Sequence, residues 1–302
     1  MKCFYCQKIT NLYVKSSNNK KREKINFTST EINLKKTEVK PDLFICKDCH
    51  VIFSEFCNEK FEKNYIDIED QLYIDQIKNK EIYFENLINK ISKYINLSDR
   101  AIEVGSYYGA FGSQIIKKIK NYEGIELSSK AFEYATKKYG LKITNTNVDD
   151  FFSKNNKKFD LIFLFDVVEH LDDPKSVLKI LSQNLSNNGK IIFTTMNMDS
   201  LFAKITGKYY PWIIAQHKFY FTTKNLEKIL ENLDMVLKET INDVRIISLN
   251  YLFFKISQKI FFFIPIYNFL KKFNFFENMK IKLSFFDINI YCAEKIKTQL
   301  KY

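Results

Sequence analysis

From Arg100 onward, short apolar runs alternate with amphipathic segments, and this alternation constrains the fold more than any other feature. It is typical of a parallel sheet with crossover helices. The run at 161–165 is apolar on both faces, as a buried central strand requires. We predict strands at 101–104, 122–125, 142–145, 161–165, 190–194, 236–241 and 284–293. We predict helices at 110–120, 130–139, 174–185 and 223–233.

Differences in composition divide the chain into three zones. A length of 302 residues is enough for one large domain with a smaller appended module. Residues 1–62 hold five of the six cysteines and form a predicted small module. Residues 63–98 form a predicted helical linker, because apolar residues recur there at near-helical spacing. Residues 99–302 form the predicted α/β domain, with a helical, aromatic and basic insert at 251–282.

The N-terminal module contains two C-x-x-C pairs, Cys3 with Cys6 and Cys46 with Cys49. Two such pairs can present four thiolates to one zinc ion in a closed structural site, so we predict a zinc-ribbon-like module. A redox role for either pair remains an alternative. Gln7 and His50 stand where such turns often carry glycine in the left-handed conformation.

A glycine-containing loop follows the first predicted strand of the α/β domain, in the sequence AIEVGSYYGAFG at 101–112. Loops of this kind direct free backbone N–H groups at a ligand. Glu126 ends the second strand, 21 positions after Gly105, where a carboxylate can accept both hydroxyls of a ribose. A dinucleotide and S-adenosylmethionine are the two candidate ligands. Tyr107 and Tyr108 crowd the position of a pyrophosphate, which favours S-adenosylmethionine.

The α/β domain resembles the class I S-adenosylmethionine-dependent methyltransferases over about residues 95–294. The resemblance rests on Glu103, Gly105 and Gly109 in the loop, on Glu126, and on the segment FDLIFLFDVVEHL at 159–171. Tyr107 departs from the family's acidic-x-Gly-x-Gly-x-Gly pattern. The family implies a Rossmann-like sheet of seven strands with the last strand antiparallel.

The same resemblance implies a set of cofactor contacts. Glu126 would bind the ribose, Asn147 or Val148 would lie beside the adenine, and Asp166 would face the sulfonium. Asp149 and Asp150 could equally cap the next turn. The implied cofactor-binding residues are Glu103, Gly105, Tyr107, Gly109, Glu126, Leu127, Asn147, Val148, Asp149 and Asp166.

The acceptor is less constrained than the cofactor. The segment at 166–171 lacks the Asn/Asp-Pro-Pro-aromatic motif of enzymes that methylate the amino groups of bases, and residues 197–230 resemble bacterial sugar- and polysaccharide-modifying methyltransferases. We therefore expect a nucleotide-linked or lipid-linked sugar as acceptor. The predicted catalytic residues are His217 as general base, Tyr210 as an orienting group and Asp166. Alternatively, His217 buttresses the helix that begins near Thr223.

A formal charge of +12 favours anionic partners. An RNA methyltransferase that binds RNA through the zinc module, with Lys20, Lys21, Arg22 and Lys24, is the first alternative. A scaffold without catalytic activity is the second.

Localisation can also be predicted from the sequence. No signal peptide is recognised, so we expect a cytoplasmic protein. The apolar stretch at 251–270 is interrupted by Lys255, Gln258, Lys259 and Pro265, so we expect no transmembrane helix. The insert would form a further core layer or lid, or would lie on the inner membrane face.

Overall fold

A computed structural model describes residues 2–3, 6–15, 40–57, 69–249, 252–253, 257, 261–270, 272–273 and 279–296. The strands, in chain order, are β1 (Thr10–Val14), β2 (Leu43–Cys46), β3 (Ile52–Ser54), β4 (Arg100–Val104), β5 (Asn121–Glu126), β6 (Ile143–Asn145), β7 (Phe159–Phe165), β8 (Leu185–Met196), β9 (Phe219–Tyr220), β10 (Met235–Asn242), β11 (Arg245–Ser248), β12 (Lys280–Leu283) and β13 (Ile288–Lys295). The helices are α1 (Gln71–Asp75), α2 (Ile77–Lys90), α3 (Ala110–Ile115), α4 (Ser129–Tyr139), α5 (Val148–Ser153), α6 (Pro174–Gln183), α7 (Leu201–Thr206), α8 (Thr223–Glu231) and α9 (Ile264–Leu270).

The main sheet has seven strands in the order β10-β13-β8-β7-β4-β5-β6. Strands β4 to β8 are paired in parallel, whereas β13 is antiparallel to both β8 and β10. The predicted fold class, a Rossmann-like sheet with an antiparallel last strand, is confirmed. The carboxyl ends of β4, β5 and β7 therefore lie side by side, which is where ligands bind in sheets of this type.

The core lies on both faces of the sheet, as the apolar sequence of β7 predicted. Six of the seven residues of β7 are buried. Helix α2 covers one face with Ile77, Tyr83, Phe84, Leu87 and Ile88, in a cluster that also contains Phe111 and Phe163. The linker predicted at 63–98 is thus a packed layer of the domain over its described residues, 69–98.

A second sheet joins the N-terminal module to the α/β domain. Its order is β1-β2-β3-β9, and β9 comes from the far side of the predicted boundary at residue 62. Phe53 of β3 pairs with Phe219 of β9, and Ser54 N–H donates to the Lys218 carbonyl at 2.9 Å. The module therefore shares hydrogen bonds with the segment that directly follows His217.

The insert predicted at 251–282 is described only in part. Its helix α9 has no buried residue, and Phe262, Ile266 and Phe269 are exposed. The described part of the insert therefore does not add a buried core layer. Within the described residues, no helix combines the length and the apolar character needed to cross a membrane.

Candidate active site

The loop between β4 and α3 depends on glycine at two positions. Gly105 and Gly109 have φ of +76° and +77°, in the left-handed region. A Cβ on Gly105 would lie 2.7 Å from a methyl group of Val167, and one on Gly109 would lie 2.8 Å from the Ala135 Cβ. The amides of Gly105 and Ser106 donate to the Ile125 carbonyl at 2.9 and 3.0 Å, which ties the loop to the end of β5.

Tyr107 also has a left-handed backbone, with φ of +45°. It occupies the position where the family pattern has its second glycine, so the loop keeps the same type of conformation without the glycine. The Tyr107 hydroxyl donates to the Asp70 carboxylate at 2.9 Å, and its ring makes an edge contact with the Tyr73 ring at 4.7 Å. The segment preceding α2 thus supports the strained residue, which the sequence alone did not reveal.

Glu126, the predicted ribose ligand, lies directly beside this loop. Its buried carboxylate accepts hydrogen bonds from the backbone amides of Tyr107 and Ser128, both at 2.7 Å. The Asn145 side chain donates to the carbonyls of Glu126 and Leu127 at 2.8 and 3.0 Å. These bonds hold the Glu126 carboxylate at the carboxyl end of β5, directly beside the loop.

Glu103, another predicted cofactor contact, lies within β4. It is 3% exposed, and its carboxyl group accepts a hydrogen bond from the Tyr122 hydroxyl. Burial, together with the nearby charge of Glu126, raises the pKa of Glu103 to about 8.

The Glu103→Gln variant is expected to gain stability relative to the wild type as pH rises. Because the pKa of Glu103 is raised by folding, its contribution to stability is full below the unfolded value near pH 4.5 and is lost as pH rises through about 8. The difference in unfolding free energy between variant and wild type should grow by on the order of 4 kcal/mol from pH 5 to pH 9. Urea unfolding at both pH values measures it, with Glu133→Gln on the exposed side of α4 as the control. An equal difference at both pH values would contradict the raised pKa.

The predicted adenine-contacting residues lie at the start of α5. Asn147 is the N-cap of this helix, and its side chain accepts from the Asp150 amide at 2.7 Å. Asp149 is in the first helical turn, and Val148 is buried. The capping role considered for this segment is therefore fulfilled by Asn147.

Asp166 directly follows β7 and has a left-handed conformation, with φ of +55°. Arg245 of β11 binds both of its carboxylate oxygens at 2.8 Å, and the Thr194 hydroxyl donates to it at 2.9 Å. Burial favours the neutral form of Asp166, but the Arg245 guanidinium outweighs it and holds the pKa of this carboxyl well below its usual range. Arg245 also stacks on the Tyr83 ring, 4.9 Å from its centroid.

His217 lies against His170, with 4.7 Å between their ring centroids. His217 is buried, and burial together with the His170 ring lowers its pKa well below the usual range. Glu169 completes the group, since the ligand atoms of all three side chains lie within 4.8 Å of one another. Burial and the Asp166 charge raise the pKa of Glu169 to about 8.

Tyr210, predicted to orient the acceptor, is fully buried. Its hydroxyl donates to the Asp287 carboxylate at 3.0 Å, and the Trp212 indole donates to the same carboxylate at 2.9 Å. In this position Tyr210 anchors the segment before His217 and does not face an open cleft.

The four predicted metal ligands come together, as expected. The Sγ atoms of Cys3 and Cys49 are 3.4 Å apart, those of Cys6 and Cys46 are 3.3 Å apart, and those of Cys6 and Cys49 are 4.0 Å apart. A tetrahedral zinc ion with Zn–S bonds of about 2.3 Å separates its sulfurs by about 3.8 Å, so the donor set fits a four-thiolate zinc site.

The two turns of this cluster have the same backbone geometry. Gln7 N–H donates to the Cys3 carbonyl at 3.0 Å, and His50 N–H donates to the Cys46 carbonyl at 2.9 Å. Gln7 and His50 have φ of +61° and +56°, the left-handed conformation that glycine often provides in such turns. Burial opposes ionisation of Cys46, but nearby backbone amides outweigh it and lower its pKa to about 7. The cysteine at position 57 and that at 292 are buried outside the cluster.

Comparison with known proteins identifies the family. A family model described as a methyltransferase domain matches residues 77–239, more than half of the chain. The chain belongs to this family. The resemblance to class I S-adenosylmethionine-dependent methyltransferases is thereby confirmed.

The chain is similar in sequence to two enzymes named ubiquinone biosynthesis O-methyltransferase. The enzyme from Actinobacillus pleuropneumoniae is 27% identical over 107 residues, which cover 32% of this chain and 46% of the relative. The enzyme from Klebsiella pneumoniae is 21% identical over 160 residues, which cover 50% of this chain and 65% of the relative. The chain thus spans about half the length of the first of these relatives and about two thirds of the second.

Among solved structures, a Bacillus halodurans protein assigned as a methyltransferase is similar at a TM-score of 0.51. The two chains are 11% identical, and the match covers 70% of this chain and 98% of the other. At this identity the likeness extends to the fold alone.

Sequence reasoning missed Arg245, Asp70 and the partnership of Glu169 with the two histidines. Each contact joins positions far apart in the chain: Arg245 is 79 residues from Asp166, and His217 is 47 from His170. No local spacing marks such pairs. The nearest signal in the sequence is the adjacent acidic residue and histidine in VVEHL, for which the sequence alone indicates no joint role.

Proposed function

We propose that this chain is an S-adenosylmethionine-dependent methyltransferase acting on a small-molecule or glycan acceptor. The observation that carries the proposal is the loop at 105–109, whose left-handed backbone runs beside the Glu126 carboxylate. Asp166 directly follows β7, the strand that pairs with β4. A glycine-containing loop that a ligand can approach closely, a carboxylate placed for the ribose and an acidic residue for the methionine end together suit this cofactor, which has no phosphate.

More specifically, we propose that the acceptor is a nucleotide-linked or lipid-linked sugar in polysaccharide biosynthesis. The net charge of +12 suits an anionic acceptor of either kind. The resemblance of residues 197–230 to sugar-modifying enzymes supports it from the sequence. The relatives' name instead suggests a small aromatic acceptor, so the acceptor assay must include both chemistries.

The N-terminal cluster is proposed to hold one structural zinc ion through Cys3, Cys6, Cys46 and Cys49. Four cysteine ligands leave no open coordination position, which suits a structural ion rather than a catalytic one. Through the pairing of β3 with β9, the ion would stabilise the segment around His217.

Peripheral contact with a membrane is proposed for the described part of the 251–270 segment. Phe262 and Phe269 are 82% and 61% exposed, and an aromatic surface beside lysines suits the lipid interface. A lipid-linked acceptor would require the enzyme to contact the membrane in this way.

The catalytic roles proposed from the sequence are general base for His217, orientation of the acceptor for Tyr210 and placement beside the sulfonium for Asp166. A neutral His217 can accept a proton, and its lowered pKa keeps it neutral at pH 7. The burial of Tyr210 favours an indirect role, through the position of Trp212.

A transfer assay with S-adenosylmethionine tritiated in the methyl group tests the proposal. The acceptors are nucleotide-linked sugars, lipid-linked sugars, a catechol, and transcribed tRNA and rRNA. Label is expected in the sugar arms. Transfer of label to the catechol alone would overturn the proposal of a sugar acceptor, but it would agree with a methyltransferase that acts on small molecules. Transfer to RNA alone would favour the RNA methyltransferase alternative. No transfer to any acceptor, in protein that still binds S-adenosylhomocysteine, would contradict the proposal and favour a scaffold.

A further inference from the structure

Glu169, His170 and His217 form a second cluster of metal-ligating groups, separate from the four cysteines. The two histidines are fixed in one protonation pattern by their backbone partners. His170 Nδ1 lies 3.0 Å from the Gln216 carbonyl, and His217 Nδ1 lies 2.8 Å from the Trp212 carbonyl. A carbonyl can only accept, so each Nδ1 carries a proton and each Nε2 keeps a lone pair. Metal-binding histidines are typically oriented in this way.

Glu169 provides an independent indication of a missing cation. The side chain is 3% exposed, and within the described residues its Oε2 atom has no hydrogen-bond partner. A buried oxygen without a hydrogen-bond partner is unfavourable. A cation bound at Oε2 would remove this cost.

The backbone holds the three ligands together independently of any ion. The Glu169 carbonyl accepts from the amides of Lys218 and Phe219 at 2.9 and 3.2 Å, which fixes the residue after His217 to the turn that carries His170. Neighbouring cations are engaged elsewhere, since Lys218 binds Asp172 and Arg245 binds Asp166. The cluster is therefore a preformed set of three donors.

The donor set indicates the kind of ion and its coordination. Two imidazole nitrogens and one carboxylate oxygen suit divalent transition metals, whereas the four thiolates of the N-terminal cluster suit zinc. Three protein ligands leave coordination positions open for another molecule. His170 is exposed, so the open side faces solvent.

We propose that Glu169, His170 and His217 bind one divalent transition-metal ion, and that this ion holds the acceptor oxygen beside Asp166. The ion-binding part stands on the cluster alone, whereas the acceptor part rests on the proposed function. The ion lowers the pKa of an acceptor hydroxyl, whose proton leaves to solvent. The oxygen then forms a bond to the methyl carbon of S-adenosylmethionine as the carbon–sulfur bond breaks, and that electron pair remains on sulfur. In this account His217 is a metal ligand instead of a general base.

Titration with Mn²⁺ of protein that carries one zinc ion per chain, which the four thiolates bind first, tests the ion site by electron paramagnetic resonance. Mn²⁺ is a poor competitor for thiolates, so it reports on this cluster and not on the cysteines. We expect one bound Mn²⁺ per chain. Glu169→Gln and His170→Gln should each weaken its binding at least tenfold, whereas Glu227→Gln, an exposed carboxylate on α8, should leave it unchanged. His170→Gln is included because an exposed residue carries little risk of misfolding.

Absence of bound Mn²⁺ in the wild type, or binding that survives both variants, would overturn the inference. Calorimetry with S-adenosylhomocysteine on the same samples separates this result from a failure of the proposed function. If the cofactor product binds and Mn²⁺ does not, the metal site alone is wrong. Transfer activity that is unaffected by removal of the bound Mn²⁺ would overturn the role of the ion in holding the acceptor.

Discussion

Replacing Glu126 with alanine is expected to weaken the binding of S-adenosylhomocysteine by about 100-fold or more. Two ribose hydroxyls would lose their bonds to a charged acceptor, at about 1.5–3 kcal/mol each, and about 1.4 kcal/mol corresponds to a factor of ten. The variant also loses the bonds from Tyr107 and Ser128, which order the loop. Isothermal titration calorimetry measures the affinity.

Two further variants test whether the loss of affinity is specific to the Glu126 carboxylate. Glu126→Gln retains one acceptor oxygen and should fall between wild type and alanine. Glu133→Ala removes an exposed carboxylate from α4 and should bind as the wild type does. An affinity of Glu126→Ala within threefold of wild type, in a protein with an unchanged melting temperature, would contradict a ribose-binding role for Glu126.

Replacing Cys46 with serine is expected to remove zinc and to lower the melting temperature by more than about 5 °C. Binding energy of a structural zinc ion contributes directly to folding, and a loss of a few kcal/mol shifts the melting of a chain this size by several degrees. Loosening of β3 would also release its pairing with β9, so transfer activity should fall with it. Metal analysis and thermal unfolding measure both effects.

The matched control for this variant is Cys292→Ala. Cys292 is a buried thiol in β13, outside the cluster, so its replacement should retain one zinc per chain. Wild-type protein that is purified without zinc, or Cys46→Ser protein that retains it, would show that the four cysteines do not form a zinc site.

Local patterns in the sequence predicted the main sheet well, because each strand and helix leaves a periodic signal of its own. The run at 161–165 identified the central strand, and the glycines at 105 and 109 identified the cofactor loop. The same reasoning extended the helix after this loop to residue 120, whereas α3 ends at Ile115. Helix ends depend on capping and tertiary contacts, which periodicity does not report.

Contacts between distant parts of the chain escaped prediction for a physical reason. The two-residue strand β9 is too short to leave a pattern, and it exists because β3 offers it an unpaired edge. The left-handed Tyr107 is tolerated because Asp70 and Tyr73 hold it, and neither residue is near it in sequence. The residues found only in the structure are therefore those whose partners are far apart along the chain.

Calorimetric titration of the wild-type chain with S-adenosylhomocysteine and, separately, with NAD⁺ tests the central claim most directly. Both ligands contain adenosine, but only NAD⁺ contains a pyrophosphate. A loop that binds a pyrophosphate needs a small residue at the position of Tyr107. The account predicts one S-adenosylhomocysteine bound per chain and no heat from NAD⁺. Binding of NAD⁺ with no binding of S-adenosylhomocysteine would contradict it.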